Sequence, residues 1–303
     1  MLRNDRSFLF ILATRVAGRA FVSRGAALGL LALLATTSCT SFVYKTVYNQ
    51  ADFLVMRELN RYFDLRDDQR DFLSDRVDRL HVWHRRTELP RYAAALREFR
   101  ERFAAGLTSR DIDWLFARGD DFRDATYRRV YSDAFIFLGS LRKDQLGHLK
   151  AALNEANEEI VEKIQLSRAE RLAKRREGTL EFLDDWSGGL TAQQSRDIAG
   201  LVGALPELDR SRLRYRRERQ SEFLQKLPAN GGDPEGLRMA LRPWFFQPDR
   251  SRPGYYRSEL QRWRSAFRTM ALEIDARMDA DQRRAIIERL NRVIADLDDL
   301  SRR

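Results

Sequence analysis

Beyond Tyr48, apolar residues recur at intervals of three and four, and strict apolar/polar alternation is almost absent. Side chains three and four apart share one face of a helix, so the spacing predicts an all-α fold, an elongated bundle of long amphipathic helices. In the stretch after Leu146, the set Leu149, Leu153, Ala156, Ile160 and Ile164 forms one stripe, with Lys150, Glu155, Glu158, Glu159 and Lys163 on the remaining surface. This predicts a helix of about ten turns running toward Trp186, with a stripe suited to pairing with another long helix. Its charged section from Glu170 to Glu177 has only Leu172 and Ala173 as apolar contacts and is expected to project from the body.

One clear break interrupts the pattern. Five of the seven prolines fall between Pro228 and Pro253, with Gly231, Gly232, Gly236 and Gly254 among or beside them. Proline and glycine punctuate regular structure, so the expected organisation is a main helical domain over 39–227, a connection over 228–254, and a C-terminal helical hairpin over 255–303 packed on the main domain. The connection is expected to hold one short helix around Glu235 to Arg242, with Trp244, Phe245 and Phe246 pinning it to the body by buried area.

A helix-start phrase recurs: an apolar residue, a capping residue, two spacers and a glutamine. Leu190-Thr191-Ala192-Gln193-Gln194 and Met278-Asp279-Ala280-Asp281-Gln282 carry it fully. The Thr or Asp oxygen can accept from the amide three residues on while the Gln reaches back to the cap amide. Leu65 to Gln69, Leu107 to Asp111 and Leu141 to Gln145 are looser copies. Arg66 and Arg142 cannot cap, which marks two of these as weak. The phrase at Leu190 to Gln194 resembles the LTxxQ motif of the Spy and CpxP periplasmic chaperones, and the resemblance implies an exported helical protein that binds clients or signalling partners.

Arg15, Arg19 and Arg24 precede an apolar run from Gly25 to Ala35, the length of a signal h-region and too short to span a membrane. The chain's only cysteine, Cys39, follows. With Leu33, Leu34 and Ser38 upstream, this segment resembles a lipoprotein lipobox, with Thr36 where leucine is usual. The resemblance implies a signal peptide over 1–38, lipidation at Cys39, and attachment to the periplasmic face of the outer membrane, since Thr40 is not aspartate. A lone cysteine has nothing to pair with in an oxidising compartment, which agrees with a modified thiol.

Removing the five arginines and one aspartate before Cys39 leaves 50 basic and 44 acidic side chains, a net charge of +6. In an exported chain this modest excess favours anionic lipid or acidic protein surfaces over nucleic acid. No GxSxG, P-loop, HExxH or dinucleotide fingerprint is present, so enzyme activity has no motif behind it and no cofactor is expected.

The densest run of unusual side chains is Tyr62-Phe63-Asp64-Leu65 followed by His81, Trp83-His84-Arg85, Glu88-Leu89-Pro90 and Tyr92. Together with Cys39, these residues resemble an uncharacterised proteobacterial lipoprotein family known as a domain of unknown function, which implies no activity. His81 and His84 would share a helix face, and Glu88 follows His84 by four, a spacing that could offer three ligands to a metal. Arg79, Arg85 and Arg86 oppose a divalent cation there. Pro90 is expected to bias Leu89 out of helical geometry and so to take Glu88 off that face. The histidines are expected in the last turn of a helix, facing its negative end.

From Arg210 to Arg219 the chain carries Arg210, Arg212, Arg214, Arg216, Arg217 and Arg219, six arginines in ten residues. Guanidinium groups make bidentate contacts to phosphate, so this segment is a candidate anion-binding face for lipid or lipopolysaccharide. The leading expectation is a lipid-anchored periplasmic helical protein that binds another envelope component as a chaperone-like clamp or scaffold. The alternatives are an anionic-lipid binder acting through the arginine helix and an envelope enzyme using His81, His84 and Glu88.

Overall fold

The computed structural model describes residues 40–227 and 233–302, with side chains from Lys45 onward. Cys39, the expected signal segment, Pro228, Gly231 and Gly232 lie outside the described residues. No strand occurs among the described residues, and the all-α expectation holds.

The helices are α1 (Thr40–Asn49), α2 (Ala51–Phe63), α3 (Asp67–Trp83), α4 (Leu89–Ala105), α5 (Ser109–Gly139), α6 (Lys143–Gln165), α7 (Arg168–Ser187), α8 (Ala192–Gly203), α9 (Asp209–Lys226), α10 (Pro234–Phe246), α11 (Pro248–Ser251), α12 (Gly254–Asp275) and α13 (Ala280–Arg302). A π-helical turn, His84–Glu88, joins α3 to α4.

Two groups of four helices repeat one plan. In the first, α2 and α3 pack as a hairpin, with α6 against α2 and α5 against α3. In the second, α7 and α8 pack as a hairpin, with α13 against α7 and α12 against α8. The helices between the members of each group are exchanged. Helix α4, from the first half of the chain, lies along α13, while α9 and α10, from the second half, cover α6 and α5. The cores follow this exchange: Tyr62, Phe63, Phe135 and Leu149 pack with Phe223, Leu241 and Phe245, and Leu96, Phe99 and Phe103 pack with Trp186, Leu290 and Ile294. The two larger cores are thus each built from both halves of the chain.

The loose helix-start phrases lock the first group. Gln69 and Gln145 are both buried, and their side chains exchange hydrogen bonds, Gln145 Nε2 to Gln69 Oε1 at 2.7 Å and Gln69 Nε2 to Gln145 Oε1 at 3.2 Å. Each carbonyl also accepts from its own cap amide, at Arg66 and Arg142. The remaining amide hydrogens reach across to the carbonyl of Phe63 at the end of α2 and of Ser140 just after α5. Gln194 and Gln282 repeat the arrangement in the second group at 2.7 and 2.9 Å, reaching Arg277 O and Gly189 O. The copies at Arg66 and Arg142 are therefore as structured as the full ones. In all four copies it is the glutamine that makes the contact with the paired helix start.

The expected ten-turn helix is two helices. Leu166 leaves helical geometry (φ −54°, ψ 147°) and Ser167 caps α7, its side chain accepting from Glu170 N while Glu170 reaches back to Ser167 N. The Ser-x-x-Glu capping box overrides the continuous apolar stripe. The section from Glu170 to Glu177 does not project. Arg171 pairs with Glu207 at 2.7 Å, Arg175 donates to Leu205 O and Arg176 to Ala199 O, so arginines rather than apolar side chains dock it. The Pro/Gly segment is mostly helical where described, and Phe245 enters the first core beside Tyr127 and Tyr131, as expected for an ordered connection.

Candidate functional site

The π-turn is the irregular place in an otherwise regular stretch from Asp67 to Ala105, and its cause is local. Pro90 has no N–H to give to the carbonyl four residues back, and its ring crowds that carbonyl. The chain widens by one residue instead of breaking: Leu89 stays helical (φ −59°, ψ −43°) and its N–H bonds to His84 O, five residues back. The expectation that Pro90 would drive Leu89 out of helical geometry is thus overturned, while His81 does lie in the last turn of α3 and His84 directly after it. Such π-turns recur at functional positions because they re-aim side chains.

Here the re-aimed side chain is His84. Its Nδ1 lies 3.0 Å from the Tyr48 hydroxyl of α1, and its Nε2 lies 3.2 Å from the Tyr92 hydroxyl of α4. A neutral imidazole has one donor and one acceptor nitrogen, and two hydroxyls satisfy both. Burial, reinforced by neighbouring His81, pushes His84 down to about 4, so it is neutral at physiological pH. Burial likewise raises both tyrosines well above their ordinary value. The Tyr92 ring packs edge-on against Phe122 at 4.6 Å, and Tyr48 meets His81 edge-on at 5.0 Å.

Glu88 is fully buried. One of its oxygens accepts from Arg91 at 2.6 Å, and the other, Oε2, has no hydrogen-bond partner. The Nε2 of His81 is also buried without a partner. Arg85 donates to Asn49 Oδ1 at 2.8 Å and stands 5.2 Å from the Tyr48 ring. His84, Arg85 and Tyr92 therefore form a seat for α1, which Lys45 fastens further by ion pairs to Asp296 and Asp299 at 3.0 and 2.7 Å. With both His84 nitrogens taken by tyrosines, the three-ligand arrangement of His81, His84 and Glu88 does not form, and no metal-binding group of three occurs among the described residues.

Tyr62 and Phe63 are core residues, at 0 and 1 % exposure. Asp64 ends α2 in the left-handed region (φ 47°), its N–H bonded to Asn60 O. Trp83 flanks His84 edge-on. The six arginines of α9 divide. Arg210, Arg214 and Arg217 are exposed at spacings of four and three, one outward stripe, with Arg214 paired to Glu218 at 2.8 Å and lying over the Tyr255 ring. Arg212 faces Asp209 at 3.7 Å. Arg216 is buried and gives its Nε–H to Asn157 Oδ1 at 2.7 Å, and Arg219 lies inward, 3.5 Å over the Trp244 ring.

A family model described as a family of unknown function, DUF6279, matches residues 61–257. The chain belongs to this family. The match takes in the π-turn, His84 with Tyr92, the first glutamine pair and all of α9, and it leaves out Cys39, Tyr48 and Gln282. No curated protein matches the chain, and no solved structure does. Tyr48 and Thr126 were missed by sequence reasoning, although Thr126 bears on Tyr92. Tyr48 lies thirty-six positions from His84, and nothing local in the sequence signals their meeting.

Proposed function

We propose that this DUF6279 member is a lipid-anchored periplasmic protein, held at the outer membrane through Cys39, that binds another envelope component as a scaffold or chaperone-like clamp. The observation that carries this reading is an apolar surface beside the His84 seat. Phe53 on α2 is 64 % exposed and Val82 on α3 is 51 % exposed, with Val47 on α1 also in solvent. Each lies next in sequence to Tyr48, Asp52 or His81, which meet one another, so all three are on helices that come together at the seat. Large apolar side chains left in solvent suit an interaction site where they share one surface, and here the helices that carry them are held at His84 by Tyr48 and Tyr92. The resemblance of Leu190 to Gln194 to the Spy and CpxP motif supports the class.

The lipidated protein should be isolated after in-cell crosslinking. One recurring envelope protein supports a dedicated scaffold, many unfolded clients support the chaperone form, and no protein adduct contradicts the proposal. A second reading is favoured by the outward stripe of Arg210, Arg214 and Arg217, which suits adhesion to anionic lipid. Salt-insensitive or absent binding to anionic vesicles would remove it.

A further inference from the structure

The inward face of α9 holds more hydrogen-bond donors than its surroundings satisfy. Arg219 Nη1 and Gln220 Nε2 are buried and lack any acceptor. Arg216 lies between them on the helix surface, about 60° from Arg219 and about 40° from Gln220 at about 100° per residue. Among the described residues no carboxylate comes within ion-pair distance of Arg219, and its cationic contacts are the rings of Trp244 at 3.5 Å and Tyr215 at 5.7 Å. The carboxylate whose charge acts on it, Glu222, pairs with Lys226 at 3.4 Å. A second buried guanidinium, Arg252, adds its charge from the α11 side and pairs with Asp249, whose side chain is 82 % exposed.

Burying a cation without a counter-charge is costly, because the lost hydration is not replaced. A ring face offsets part of that, but a ring accepts no forked pair of N–H bonds. A guanidinium fork and an amide donor next to further positive charge are matched by a compact oxyanion. We propose that this face of α9 is a binding site for a phosphate-type oxyanion, held by Arg219 and Gln220 with Arg216 and Arg252 adding charge. The site is independent of the outward stripe: it uses the opposite side of the helix and lies inside the family-matched segment. Desolvation lowers Arg219 to about 10, the direction expected of a buried cation lacking a counter-ion.

The test is calorimetric titration of the full chain with inorganic phosphate at constant ionic strength set by chloride, with thermal melting alongside. The wild type and Arg196→Met, which removes an exposed guanidinium on α8, should bind phosphate equally and melt higher in its presence. Arg219→Met, which keeps the apolar stem under Trp244, should raise Kd at least about tenfold, the loss of one charge-assisted bond. Arg219→Lys keeps the charge without the fork and should bind weakly too, which covers the case in which Arg219→Met does not fold. Flotation with phosphatidylglycerol against phosphatidylcholine vesicles separates the sources. Arg219-dependent flotation means a lipid headgroup, whereas phosphate binding with indifferent flotation means a free phosphate or phosphate ester. No phosphate effect beyond chloride together with no Arg219-dependent flotation would mean that water alone satisfies the donors, and the site would be withdrawn. Equal loss in Arg196→Met would overturn it as well.

Discussion

Replacing His84 with glutamine should flatten the stability of the protein between pH 7 and pH 4. The folded imidazole is neutral down to about pH 4 because burial penalises its charged form, while the unfolded chain takes up the proton near 6.5. Between these values the unfolded state binds more protons, so stability is complete above about pH 6.5 and is lost as pH falls toward 4. At about 1.4 kcal/mol per tenfold, the gap amounts to about 3 kcal/mol across that window. His81, also lowered by burial, acts in the same direction. Urea unfolding of wild type and His84→Gln at several pH values isolates the contribution, because the carboxylates titrate alike in both. The wild type should lose about 3 kcal/mol more than the variant. Parallel stability curves, agreeing within about 0.5 kcal/mol, would refute the assignment of a neutral, tyrosine-clamped imidazole.

Gln145→Leu takes one partner each from the carbonyl and amide of Gln69 and one donor from the carbonyl of Phe63, and removes the side-chain acceptor of Arg142 N, and should cost about 2–4 kcal/mol in urea unfolding. The pair variant Gln69→Leu with Gln145→Leu should cost less than the sum of the singles, since the two side chains satisfy each other. Ser167→Ala removes the α7 cap and should cost about 1 kcal/mol, with no change in cooperativity. Gly139→Ala would place a Cβ 2.6 Å from Pro234 Cγ, a rigid ring that cannot swing away, so α10 should dock less tightly and thermal unfolding should report about 1–3 kcal/mol of lost stability.

The sequence foretold the helices and their capping phrases well, because periodicity and N-terminal boxes are local. The apolar stripe from Leu149 to Ile164 hid the break at Ser167, although Ser167 and Glu170 spelled a capping box in the same residues. Gln69 and Gln145 were visible as phrase members, but their pairing spans 76 positions and depends on which loops meet. The exchange of α4 for α9 and α10 was not legible at all, since an amphipathic face does not name its partner. At the candidate site, His84, Arg85, Glu88 and Tyr92 could be singled out by type. The π-turn that aims His84 between Tyr48 and Tyr92 could not, because Pro90 is equally compatible with a break. In α9 the arginines surround the helix, so no sequence stripe separates the three outward ones from Arg216 and Arg219 inside.

The central claim is that the surface around Phe53 and Val82 binds an envelope component. Photo-crosslinking amino acids placed singly at positions 53 and 82, with exposed Lys150 on α6 as the control position, test it in living cells. Positions 53 and 82 should give the same adducts, absent from 150 and lost when the other of the two residues is changed to aspartate. Adducts equally frequent at all three positions, or none at 53 and 82, would contradict it.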